Sequence, residues 1–388
     1  MAMDQDIVFS FFLVFSGATI LATLALFTRQ PVLIAYIALG AIVGPFGMGW
    51  IENPENLSDM AHIGIIFLLF LLGLDMQPSA LVSVLRKATL VALVSSLVFF
   101  ASGYGLTQAF GYSQMDSIVI GLAMMFSSTI IGLKLLPTTV LHHKHIGELM
   151  IGLLLIQDLL AILVLIFLGV MAGESNMPVW QPFIALPLLV AACYLMVKCV
   201  LLPLITRFDR YQEYLFILAI GWCLAVAEGA KIVGLTHEIG AFIAGVTLAT
   251  SPIAQFIAIS LKPLRDFFLV MFFFALGAGL NLGLLSNVIV PAVILAIIIL
   301  MIKPVTFRYL LGGFSERPAL AWDVGFRLGQ ISEFSLLIGF VALQSQLLTE
   351  QASSLIQATA IITFAVSSYI VVFNYPNPIA IKDALRRD

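Results

Sequence analysis

Charge is what this sequence lacks most. Of its 388 residues only 10% are Asp, Glu, Lys or Arg, against about 25% in a typical soluble domain. The 18 basic and 21 acidic residues leave a net charge of −3. No basic face exists to neutralise a phosphate backbone, which excludes nucleic acid as a partner. Cysteine is scarce too. Cys193, Cys199 and Cys223 all lie in apolar runs, so a disulfide-stapled secreted fold is excluded and packing is left as their role. There is no Walker loop, no Gly-x-Ser-x-Gly elbow and no His-Glu-x-x-His. An enzyme and an ATP-driven pump are therefore disfavoured, and no cofactor or resident metal is expected. Met1–Asp6 holds two acids and no base, which argues against a cleaved signal peptide.

What the chain has in excess is hydrocarbon: 61% of its residues are hydrophobic, and the mean hydropathy is +1.11. A soluble protein of this length could not bury that surface, so the expected fold is an all-α polytopic membrane protein with lipid as its main solvent. Barrel strands would alternate apolar and polar residues, whereas these segments are apolar on every side. Spans are expected at 7–27, 32–50, 61–77, 88–110, 116–137, 146–171, 183–205, 212–234, 237–250, 266–281, 286–311, 320–346 and 353–373. Thirteen helices consume about 260 residues and leave about ten per connection. Residues 1–373 thus form one transmembrane domain, and 374–388, polar, proline-broken and basic, read as the start of a cytoplasmic linker.

The connections carry the orientation. Arg29, Arg86, Lys87, Lys144, Arg207, Arg210, Lys262, Arg265, Arg308 and Arg317 follow odd-numbered spans, and Lys382, Arg386 and Arg387 follow the last. The even connections hold acids instead: Glu52, Glu55, Asp59, Asp116, Glu174 and Glu350. This alternation puts the amino terminus outside and the carboxyl terminus in the cytoplasm of a cell inner (plasma) membrane. An odd span count with short loops also permits two inverted repeats.

A charge at membrane depth costs about 2.5–3.5 kcal/mol on insertion scales, so each one is a functional candidate. Asp158, in the run Leu153–Ile162, has no basic residue three or four positions away. A carboxylate so placed must pair with another helix, bind a cation or take up a proton, and each is what an ion carrier needs; a static buried salt bridge is the alternative. Lys303 lacks a local acid too, and either pairs with Asp158 or snorkels toward the cytoplasm beside Arg308. Lys134 and Lys198 read as snorkelling. Ser127-Ser128-Thr129 interrupts the fifth span and Gly329-Gln330-Ile331-Ser332-Glu333-Phe334 the twelfth. Such interruptions serve either small-residue packing or broken helices whose freed carbonyls coordinate cations. Glu228 with Lys231, and Asp323 with Arg327, read as local ion pairs. Glu238 opens the short ninth span as a cap or vestibule group, Asp75 is interfacial, and the His142–His145 cluster reads as a solvated loop, a pH sensor being the alternative.

On these residues the sequence resembles the cation:proton antiporter-2 family, and most of all the membrane domain of its glutathione-gated potassium efflux systems. The matching pieces are Ala41-Ile-Val-Gly-Pro45, Phe70-Leu-Leu-Gly-Leu-Asp75, Ser127-Ser-Thr129, Gln157-Asp158, Gly240-Ala-Phe-Ile-Ala-Gly245 and Gly329-Gln-Ile-Ser-Glu333-Phe334. The resemblance implies thirteen helices in an inverted repeat, a core domain with two crossing broken helices, and a scaffold domain forming a homodimer. It implies that Asp158, with Gln157, Ser127, Ser128 and Thr129, binds the transported cation, that a proton competes for Asp158, and that Lys303 pairs with it. The transported ions would be K+ (or Na+) and H+, exchanged by alternating access. Gln330-Ile-Ser332 replaces a more glycine-rich run of the efflux systems, and the nucleotide-binding regulatory domain of those systems, a fused or separate partner, is absent from this chain. The alternatives are a ligand-gated potassium efflux channel, a Na+/H+ antiporter, and a membrane sensor that would tolerate loss of Asp158; no filter like Thr-Val-Gly-Tyr-Gly is present.

Overall fold

Where water is absent, a backbone N–H or C=O must find its partner within the protein, and an α-helix supplies one from its own turn. In the structure, a computed structural model that describes residues 7–28, 30, 32–51, 55–75, 78–134, 145–171, 181–208, 210–235, 237–251 and 254–376, every regular element among the described residues is helical. The helices are α1 (Ile7–Phe27), α2 (Val32–Val43), α3 (Glu55–Asp75), α4 (Pro78–Ala109), α5 (Gln114–Met124), α6 (Thr129–Lys134), α7 (His145–Met171), α8 (Gln181–Met196), α9 (Leu202–Arg207), α10 (Gln212–Ile232), α11 (His237–Leu248), α12 (Ala254–Ala278), α13 (Leu282–Gly313), α14 (Pro318–Arg327), α15 (Glu333–Gln344) and α16 (Glu350–Asn374). Seven helices are long and apolar enough to cross a membrane among the described residues, and shorter apolar helices include α2, α5, α11 and α15. The side chains of Asp75, Lys134 and His142–His145 and most connections that carried the charge alternation lie outside the described residues.

Three of the ranges expected as single helices are divided. The range 116–137 is split into α5 and α6, and 320–346 into α14 and α15. Between α8 and α9 the chain takes one π-turn, Val197–Leu201. The π-turn has a local cause: Pro203 lacks an N–H and its ring crowds the carbonyl one turn earlier, so the hydrogen-bond register slips.

The chain divides into two compact units. One comprises Asn53–Val82 and Ile166–Ala275. In it, α3 and α11 approach so closely that a Cβ on Gly245 would sit 2.1 Å from the Phe70 carbonyl oxygen, and one on Gly73 2.5 Å from that of Phe242. Phe67 stacks on Phe268 with centroids 5.3 Å apart, and the Trp222 indole donates to the Ala244 carbonyl at 3.1 Å. Glu228 of α10 pairs with His237 at 3.1 Å, and not with Lys231 as the spacing suggested. Glu238 is buried in the first turn of α11.

The other unit comprises Met1–Glu52, Ser83–Leu165 and Leu276–Asp388. Here α16 packs along α13 and also meets α5, α14 and α15. α13 and α14 meet at Gly325, where a Cβ would lie 2.7 Å from the Cα of Pro304. Polar caps fix where the helices start: Ser113 for α5, Asn281 for α13, Ser332 for α15 and Thr349 for α16 each accept a backbone N–H of the first turn. Asp116 then joins two of these starts. Its buried carboxylate accepts from Ser113 Oγ at 2.8 Å and from the Thr349 N–H at 2.9 Å, tying α5 to α16.

The close α3–α11 crossing gives a first expectation. Gly245→Ala should destabilise the detergent-solubilised protein by about 1–3 kcal/mol. Gly221→Ala in α10, where a Cβ meets nothing within 4 Å, should be neutral or stabilising. Paired thermal melts check both.

A candidate ion site at two facing helix breaks

Each break exposes two kinds of backbone group at once: the carbonyls of the helix that ends and the amides of the helix that begins. α5 ends at Met124 and α6 begins at Thr129; α14 ends at Arg327 and α15 begins at Glu333. Both restarts use the same device. Ser128 Oγ accepts the Ile131 N–H at 3.1 Å, and Ser332 Oγ accepts the Phe334 N–H at 3.1 Å. The residue after each capping serine, Thr129 or Glu333, opens its helix.

The two breaks bond to one another. Ser127 Oγ donates to the Leu328 carbonyl at 2.8 Å. The Gln330 amide nitrogen donates to the Ser128 carbonyl at 3.5 Å, and Ser335 Oγ donates to the Ala123 carbonyl. α16 closes the arrangement from the side: Ser367 Oγ donates to the Gln330 side-chain oxygen at 2.7 Å, and Thr363 Oγ1 accepts the Ile331 N–H at 3.4 Å.

Lys303 is fully buried and takes neither role expected for it. Its ammonium donates to the Phe126 carbonyl at 2.5 Å, the Gln330 carbonyl at 2.9 Å and Ser127 Oγ at 3.2 Å, and lies 5.1 Å from the Phe99 ring centroid. It does not snorkel, and no Lys303–Asp158 ion pair forms among the described residues. The physical reason is local. Carbonyls left over from two broken helices form a negative pole inside the protein, and Lys303 meets it before it can reach a carboxylate.

The carboxylates belong to the opposite pole. Asp158, 1% exposed in the middle of α7, accepts from Thr129 Oγ1 at 3.3 Å, which sets it at the amide end of α6. Glu333 stands in the first turn of α15, the helix that begins at the second break, and its charge bears on Asp158. Positive helix ends therefore face acids, and the carbonyl ends face a lysine.

The five residues expected to bind the ion are not equivalent in the structure. Asp158 and Thr129 meet directly. Gln157 is buried beside them, but its Oε1 accepts the Ser127 N–H at 3.1 Å and its Nε2 has no partner. It presents a donor, which suits water or a carbonyl rather than a cation. Ser127 and Ser128 spend their hydroxyls on Leu328, Lys303 and the α6 cap. The carbonyls of Ala123, Phe126, Ser128, Leu328 and Gln330, expected to complete an ion's shell, all accept hydrogen bonds already. Gly329 lies in the second break, where its N–H donates to the Phe326 carbonyl at 3.4 Å. Sequence reasoning missed Phe99, Ser335, Thr363 and Ser367; the hydroxyl-rich face of the last helix was the available signal.

One more contact fixes the end of α14. Arg327, its side chain 2% exposed, donates to Asp323 at 2.6 Å and to the Pro376 carbonyl at 2.7 Å. Its guanidinium also lies 5.8 Å from the Tyr375 ring centroid. The local ion pair expected from spacing is present, and it also holds the residues that leave the last helix.

A family model described as "Sodium/hydrogen exchanger, transmembrane" matches residues 12–373. K(+) efflux antiporter 5 of Arabidopsis thaliana is 30% identical over 325 residues, covering 80% of this chain and 56% of that protein. K(+) efflux antiporter 6 of the same plant is 28% identical over 319 residues, covering 80% and 53%. The chain thus spans about half the length of these relatives. The solved structure of the sodium proton antiporter MjNhaP1 from Methanocaldococcus jannaschii superposes with a TM-score of 0.72 over 92% of this chain and 95% of that one, at 17% identity, a likeness of fold.

Removing the guanidinium tests the Arg327 contact. Arg327→Gln should cost about 3 kcal/mol, because Asp323 is left partly buried without its partner. Adding Asp323→Asn should recover part of that loss, as read by thermal melts of the two variants.

Proposed function

Because this chain belongs to the sodium/hydrogen exchanger transmembrane family, we propose that it is a secondary antiporter exchanging potassium for protons by alternating access. The family makes it a multi-pass membrane protein of the cation/proton antiporter class. The finer reading rests on Asp158: a buried carboxylate, in the middle of a long apolar helix, with a hydroxyl as its hydrogen-bond partner and, among the described residues, no cation of the protein paired with it.

Such a group is costly to leave ionised and alone. A bound cation or a proton each removes that cost, and the two exclude one another. The site changes sides only when one of them is present, because moving an uncompensated charge past lipid is penalised. Binding one ion on each side in turn yields exchange, with no covalent step and no cofactor.

The cation's fixed ligands are Asp158 and Thr129, and water fills remaining positions; the Phe126, Leu328 and Gln330 carbonyls already accept hydrogen bonds. Gln157 and Lys303 act as positioning residues rather than ligands. Gln157 holds the Ser127 amide, and Lys303 holds the two breaks in register. Glu333 keeps the local potential negative, which favours cation entry.

Potassium as the cargo is supported by the relatives named for K(+) efflux. Thirteen spans in an inverted repeat, a homodimer, an outside amino terminus and a plasma (inner) membrane setting complete the proposal. They rest on the charge alternation and on the family resemblance. The cytoplasmic linker expected over 374–388 belongs to the same proposal; Asn374 ends α16, and 377–388 lie outside the described residues.

The decisive experiment is potassium/proton exchange in proteoliposomes. The wild-type protein should acidify or alkalinise the lumen only with potassium present. Asp158→Asn should abolish that exchange by at least a factor of a hundred while retaining the wild-type melting temperature or raising it. Wild-type rates from Asp158→Asn would overturn the reading. Sodium in place of potassium tests the cargo, and channel-sized fluxes without proton coupling would favour a gated pore.

A further inference from the structure

The ammonium of Lys303 can be counted proton by proton. Phe126 and Gln330 offer it carbonyl oxygens, which only accept. Ser127 Oγ has a single proton and spends it on the Leu328 carbonyl at 2.8 Å, so towards Lys303 it too can only accept. Three acceptors therefore demand three N–H donors. A neutral amine has two, and its lone pair would face an oxygen. The Phe99 ring, 5.1 Å away, offers a π-face that also favours a cation.

From this count we infer that Lys303 is a fixed positive charge throughout the exchange cycle, that Asp158 alone carries the exchanged proton, and that the transporter moves one cation per proton with no net charge. The inference rests on the antiport reading and adds its stoichiometry. A lysine that gave up its proton each time a cation arrived would have to leave these carbonyls unpaired at membrane depth. Its three bonds join both breaks, so its release would loosen the scaffold that shapes the site. Asp158 stands apart from it, at the amide end of α6, where ionisation and protonation are compensated by the entering ion and by Thr129. Glu333, in the first turn of α15, also bears on the charge at Asp158, and in this scheme its own charge does not change.

The thermodynamic null point tests the count and does not depend on turnover rate. Wild-type protein is reconstituted into liposomes with a tenfold potassium gradient, and the pH difference at which proton flux stops is found. One-for-one exchange stops at a difference of about one pH unit, whatever the membrane potential. Two protons per cation stop at about half a unit with the potential held at zero, and that value moves with the potential. A null point near one unit and insensitive to potential is the expected result. A null point near half a unit, or one that follows the potential, brings in Lys303 or Glu333 as a second carrier and overturns the inference. Absence of any potassium-dependent proton flux in the wild type would instead overturn the antiport reading.

Lys303→Gln and Lys303→Arg add a second arm. Both should melt below wild type, because neither reproduces three bonds from one point. In either variant that still exchanges, the null point should stay at one unit. A shift of the null point in Lys303→Gln would overturn the fixed-charge role. If neither variant folds, the wild-type null point decides alone.

Discussion

The grip of one ammonium on the carbonyls of two broken helices is the contact on which the rest of the site depends. A helix interrupted in a low-dielectric interior leaves donors and acceptors that cost several kcal/mol each when unpaired. Lys303 answers the acceptor ends of both breaks together. Because it answers both, the breaks are held in one register, and the hydroxyl of Ser127 completes the joint. A lysine is expensive in such a place, and here its cost offsets that of the carbonyls.

The amide ends follow the same electrostatics with opposite sign. Ser128 and Ser332 cap the two restarts, and an acid is set beside each: Asp158 by way of Thr129, and Glu333 directly. The poles do not balance. Among the described residues, one lysine stands at the carbonyl ends and two carboxylates, Asp158 and Glu333, at the amide ends. The proposed ion exchange rests on that imbalance, since a mobile cation or proton can neutralise a carboxylate that a rigid structural salt bridge would hold.

α16 acts as a brace for this centre. At its start Asp116 of α5 receives the Thr349 N–H, in its middle Thr363 and Ser367 hold the second break, and just beyond its end Arg327 of α14 holds Pro376. Thr363 and Ser367, which look like incidental small-residue packing along an apolar helix, are thus spent on the second interruption. The residues that leave the last helix are bonded to the residue that ends α14, one position before the break.

The sequence by itself determined that the chain is helical and lives in lipid, because 10% charge and unbroken apolar runs admit no other solvent. It also located both breaks, since Ser127-Ser128-Thr129 and Gly329–Phe334 are the places where an apolar helix is interrupted, and it singled out Asp158 because no local base could pair with it. Local periodicity found the Asp323–Arg327 pair and failed for Glu228, whose partner His237 is nine residues away on the next helix. Only the tertiary structure decided who pairs with whom across the site. Lys303 and Phe126 are 177 residues apart, and backbone carbonyls are the same in every residue, so nothing in the sequence marks which of them will be left open. Sequence shows charges; which pole each one meets depends on where two helices end in space.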